Sequence, residues 1–170
     1  MAIYIYLIIL IFSYPLNANN TISISDSNFS VDIKRDEWGV PHIFGKKDAD
    51  VSFGLAYAHS EDDYKTLEDI IFALRGELAS IYGRDAAVND YYVHLMNFWG
   101  LVDQKYETEV AEDVKLICEG YASGINKYLD DHPESRTKSF KNVTAEDVVA
   151  GFSHRMPLMF GLDGILKKLS

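Results

Sequence analysis

An α+β fold, mostly helical with a short β-hairpin near the N-terminus, is what this sequence predicts. Three observations carry the prediction. Phe29, Val31 and Ile33 alternate with Ser30, Asp32 and Lys34, the period of two that marks a strand with one buried face. Later stretches repeat apolar residues at intervals of three and four over several turns, the mark of helices with one apolar face. An apolar fraction of 48% in 170 residues is enough to fill the core of one domain.

The elements follow in order. The first twenty residues, "MAIYIYLIILIFSYPLNANN", hold an apolar run from Ala2 to Phe12, then Pro15, then a small residue at Ala18. That order predicts a signal peptide over 1–18, cleaved after Ala18, and hence a periplasmic or secreted protein. The run falls short of the about 20 apolar residues that a bilayer-spanning helix needs, so stable membrane insertion is not expected; a retained anchor is the alternative. Residues 19–28 are rich in Asn, Ser and Thr and read as a linker, with folding beginning near Phe29. After the first strand, Gly39 supplies a turn, Pro41 excludes a helix interior, and Val40, Ile43 and Phe44 return as the second strand of the hairpin.

Asp48 is a candidate helix cap, and Val51, Leu55 and Ala58 recur at helical spacing up to the acidic group Glu61, Asp62 and Asp63. A second helix carries Tyr64, Leu67, Ile70, Ile71, Leu74, Leu78 and Ile81 on one face, with Gly83 as its left-handed end and Arg84 complementing its dipole. The aromatic stretch from Asp90 to Gly100 is helical by the spacing of Tyr91, Leu95 and Phe98. Val110, Val114, Ile117, Tyr121, Ile125 and Tyr128 define a long helix that stops before Pro133. The last element starts at Thr144, with Asp147 three residues on as an approximate capping box, and runs through Phe152 toward Pro157, where a kink is expected.

Charge and motifs then exclude several functions. Twenty-six acids against sixteen bases, a formal net charge of −10, oppose the counterion-driven binding that nucleic acid requires, so no nucleic-acid partner is expected. Cys118 is the one cysteine; it cannot form an internal disulfide and reads as a packing residue. The acid triplet at 61–63 lacks the alternating ligands, glycine and distal glutamate of a calcium loop, and serves helix-start electrostatics instead. His42, His59, His94, His132 and His154 are scattered, none at zinc-ligand spacing with another or with Cys118, so no metal site is expected. His59, beside Tyr57, reads as a packed, hydrogen-bonded histidine in preference to a general base. No G-x-S-x-G elbow, Walker loop or dinucleotide glycine pattern occurs. The apolar stretch "HRMPLMFGLDGIL" suits an acyl group or a partner chain, with ordinary core as the other reading.

Five blocks, "RDEWGVPHIFG", "GLAYAHSEDDYKTLE", "LRGELASIYG", "EGYASGINKYLDDHPE" and "VVAGFSHRMPLMFGLDG", come in the order found in the penicillin acylase family. From about Val31 to Leu169 the chain resembles that family, and most of all its aculeacin and acyl-homoserine-lactone acylase branch. Asp63 stands where many members of the family have Arg, a departure that suits this branch. The resemblance implies an N-terminal-nucleophile hydrolase of αββα layers, made as a precursor that cleaves itself into an α chain and a larger β chain. The β chain's N-terminal serine attacks an amide carbonyl with its own α-amine as base.

Only the α part is matched. Residues 29–170 are then an α-chain domain without its β chain, and no catalytic residue carries over: Ser170 lacks the preceding Gly and following Asn of the family's nucleophile. The resemblance places Arg155, Met156, Met159 and Phe160 at the acyl pocket as substrate-binding residues. It implies no cofactor; a structural calcium ion occurs among members, and no ligand set for one is evident here. The implied partners are the serine-bearing β chain and a small acylated substrate, such as an acyl-homoserine lactone, a lipopeptide or a β-lactam side chain. A degenerate product that binds acylated ligands or a partner without turnover is the competing expectation.

Overall fold

The computed structural model describes residues 21–162 and 164; the leader expected over 1–18 and Ser170 lie outside them. Three strands, β1 (Thr21–Ser25), β2 (Ser30–Arg35) and β3 (Pro41–Gly45), form an antiparallel sheet in the order β1-β2-β3. Ile22 lies opposite Ile33, and Ile33 opposite Ile43. This register places Ile24, Val31 and Ile33 on the buried face. Asp26 closes the first turn by accepting the backbone N–H groups of Asn28 and Phe29 at 2.7 and 2.8 Å, and Asp36 closes the second through Trp38 and Val40.

The sheet corrects one expectation. Residues 21–25 are not part of a linker but the first strand. Ile22 and Ile24 alternate with Thr21, Ser23 and Ser25, a period of two carried by only two apolar residues inside a Ser- and Thr-rich stretch. The pairing to β2 stabilises the strand; its own composition does not announce it.

α1 (Asp48–Arg75) merges the two helices expected over 48–81. It is interrupted at Asp63, whose backbone is extended (φ −157°, ψ 64°) and whose carboxylate accepts the Thr66 N–H at 3.2 Å, capping the second half. α1 ends at Gly76, not at Gly83. Gly76 takes the left-handed conformation at φ 68°, its N–H reaches the Ala73 carbonyl, and the Glu77 N–H reaches that of Phe72. Leu78 and Ile81 prolong the apolar periodicity because the short α2 (Ala79–Tyr82) packs them on the same core. Arg75, not Arg84, is therefore the basic residue of the last turn.

α3 (Ala87–Met96) and α4 (Phe98–Glu109) replace the one helix expected near 90–100. Asn97, at φ 52°, turns the chain between them. α5 (Glu112–Asp131) matches its periodicity, and α6 (Ala145–Met159) starts at a Thr144 capping box with Pro157 inside its last turn. α5 runs against α1 at backbone contact, since a Cβ on Gly120 or Gly124 would collide with the carbonyl oxygens of Ala49 or Phe53. One core lies between α1, α5 and α6 and contains Cys118; the other lies between the sheet and the first half of α1. No helix among the described residues is long and apolar enough to cross a membrane.

Candidate functional site

Side chains of α1, α5 and α6 leave an open groove of about 400 Å³. Its floor is the apolar stripe of α1, with Leu67, Ile70, Ile71 and Leu74 following one another at helical spacing. Tyr121 and Ile125 of α5 form one side. Val148, Gly151, Phe152, Arg155 and Met159 of α6 form the other. Ile70 is 46% exposed and Phe152 67%; an amphipathic helix that had buried its whole stripe would not leave such residues open.

Few polar groups reach this surface. His59 Nδ1 and the Tyr121 hydroxyl share a hydrogen bond of 3.0 Å, so the sequence reading of a hydrogen-bonded histidine holds, although His59 is exposed and not packed. Burial pushes the Tyr121 phenol above its ordinary pKa. Asp147 closes one end, almost fully buried, with both carboxylate oxygens on Arg75 at 2.8 and 2.6 Å. Arg155 is the only Arg or Lys among the lining residues.

Two of the four residues assigned to the acyl pocket, Arg155 and Met159, line this groove. Met156 and Phe160, exposed at the same end of α6, do not. Phe152 and the α1 floor complete the surface. Phe152, Arg155 and Met159 are spaced by three and four residues, so the helical period pointed to Phe152; nothing in the sequence distinguished the α1 floor from an ordinary core stripe.

Among the described residues, no serine or cysteine is hydrogen-bonded to a histidine: Ser52 and Ser60 donate to backbone carbonyls, and Cys118 is buried, which raises its thiol pKa. No group of acids, histidines and cysteine among them could hold a metal ion. In the acid triplet, Glu61 and Asp62 pair with Arg35 of β2 at 3.0 and 2.9 Å, while Asp63 alone acts as the helix-start group.

A helical layer beside a small antiparallel sheet, with an open apolar groove that has no serine or cysteine among its described lining residues, is the arrangement to set beside known proteins. The model of one family, penicillin amidase, matches residues 30–164, and the chain belongs to that family. It is 28% identical over 148 residues to the acyl-homoserine lactone acylase PvdQ of Pseudomonas fluorescens (strain Pf0-1), covering 75% of this chain and 19% of that protein. It is 28% identical over 111 residues to penicillin acylase 2 proenzyme of Pseudomonas sp. (strain SE83), covering 65% and 14%. A solved structure, a thermostable penicillin G acylase from Alcaligenes faecalis, superposes with a TM-score of 0.64 at 25% identity over 82% of this chain and 75% of that one. The fold is thus part of a penicillin acylase fold. The chain spans about a fifth or less of the length of these curated relatives.

Proposed function

We propose that this chain is the α part of a secreted or periplasmic acylase that hydrolyses linear amides, and that its groove holds the acyl group. The open apolar groove of α1, α5 and α6, with no serine or cysteine among its described lining residues, is the observation that carries the reading. The share of each relative that is matched supports it. The chain covers three quarters of the solved acylase chain but under a fifth of the proenzyme of Pseudomonas sp., the proportions expected when an α chain is one part of a processed precursor. The reactive serine then belongs to a β chain.

In this reading the β-chain serine hydroxyl attacks the amide carbonyl while its α-amine takes the proton, the amine product leaves, and water releases the acid from the acyl-enzyme. The groove excludes water from the acyl tail, and each methylene buried along Leu67, Ile70, Leu74, Phe152 and Met159 stabilises the complex by about 0.8 kcal/mol. Arg155 and Met159 face the tail directly. Met156 and Phe160 meet the substrate where the β chain closes the pocket. Acyl-homoserine lactones, lipopeptides and β-lactam side chains are the substrate classes the reading covers.

The test uses the chain assembled with its β complement and a series of acyl amides of increasing chain length. Hydrolysis by the assembly and none by the chain alone is the expected result, with Phe160→Ala altering the relative rates across acyl lengths. Turnover by the chain alone, or an assembly that binds acyl amides without cleaving any, overturns it.

A further inference from the structure

α6 carries one wall of the groove, and the way it is held is more directional than packing requires. The connection from α5 to α6, residues 132–144, is pinned to α1 by two charged side chains seven residues apart on one face. Glu68, 1% exposed, accepts the Thr137 N–H and hydroxyl at 3.0 and 2.9 Å. Arg75 donates to the carbonyls of Lys141 and Asn142 at 3.3 and 2.9 Å and grips the Asp147 carboxylate with two of its nitrogens. Between them Phe72 and Phe140 meet edge to face, with centroids 5.4 Å apart. Asn126 of α5 closes the strap by exchanging two hydrogen bonds with the Val143 backbone. Asp147 also accepts the Thr144 N–H at 2.8 Å, so the residue gripped by Arg75 is itself part of the cap of α6.

We propose that Glu68 and Arg75 are positioning residues that set the width of the groove, and through it the preferred acyl length, by fixing the root of α6 against α1. The proposal rests on the groove being the acyl site. Apolar residues of similar volume stabilise a helix contact as well as a buried ion pair does, or better. A bidentate guanidinium–carboxylate pair adds a defined distance and angle. From Asp147 to Met159, α6 rises about 18 Å. A tilt of about 5° at the clamp therefore displaces Met159 by about 1.5 Å over that rise, enough to open or close the far end of the groove while the core stays filled.

The experiment compares kcat/KM for a long and a short acyl amide in the assembled enzyme. Arg75→Lys keeps the charge and loses the fork; Glu68→Gln keeps the shape and weakens its acceptors. Ile33→Val, a buried change in the sheet far from α6, serves as the control for stability loss. The clamp variants should shift the long-to-short ratio about tenfold, the discrimination one methylene supplies in an apolar pocket, while Ile33→Val lowers Tm and leaves the ratio alone. A ratio unchanged in every clamp variant that folds overturns the proposal and leaves the acylase reading intact. Should Arg75→Lys not fold, Glu68→Gln and Asp147→Asn decide it. A wild-type assembly without amide hydrolysis overturns both.

Discussion

His154 of α6 lies buried against Tyr92 and Phe98, its Nε2 3.1 Å from the Asn89 side-chain oxygen. Burial first, and neighbouring Arg155 second, hold its pKa below the ordinary value of 6.5. The folded state therefore binds fewer protons than the unfolded chain as the pH drops through 6.5. The stability from neutral His154 is fully present above that pH and is lost as pH falls toward the depressed folded value. Thermal melts in dilute solution should show a larger loss of Tm from pH 7.5 to pH 5 in the wild type than in His154→Gln. Equal losses would remove His154 from the acid response. At this scale the sequence was partly legible. It read Asp147 as part of the α6 cap; that Arg75 grips the same carboxylate depends on a fold that joins residues 72 positions apart.

Glycine has opposite meanings in two helices, and only the packing tells them apart. A helical Gly→Ala change gains about 0.5–1 kcal/mol from backbone entropy where there is room. At Gly151 of α6 a new Cβ would stand 3.7 Å from Leu74 Cδ2, ordinary contact. Gly151→Ala should stabilise by about 0.5–1 kcal/mol. At Gly124 of α5 the same Cβ meets the Phe53 carbonyl oxygen, which is backbone and cannot step aside. The overpacking cost of about 1–3 kcal/mol outweighs the entropy gain, so Gly124→Ala should destabilise. Urea titrations of the two variants measure both signs, and a stabilised Gly124→Ala would mean that α1 and α5 are less tightly apposed. The helices themselves were readable from their period, but their ends were not. Leu78 and Ile81 kept the α1 rhythm going past Gly76 because periodicity records which residues face a core, not whether one helix or two carries them there.

For the molecule as a whole, the groove and the exposed side chains at the end of α6 set the expected behaviour. Phe152, Met156, Met159 and Phe160 are each 46% exposed or more, an apolar surface of the kind that binds other chains or ligands. Purified alone, the chain should bind a hydrophobic fluorescent dye and associate as concentration rises; if the proposed β chain is its partner, assembly with it should suppress both. Light scattering and dye emission report this, and a chain that stays monomeric and dark to the dye contradicts the assignment of that surface.

What the sequence determined by itself was local and additive: the period of two in β2, the periods of three and four in α1, α5 and α6, the Thr144 cap, and the five ordered blocks that mark the family. Each depends on residues close together in the chain. Only the tertiary structure decided that Thr21–Ser25 is a strand, that the α1 stripe is half core and half groove floor, and that Arg75 grips Asp147 of α6 while Glu68 holds Thr137 of the connection before it. The strand depends on pairing with β2 that its own composition does not announce, the other two on partners tens of residues away, and a single stripe of apolar side chains looks the same whether another helix covers it or leaves it open.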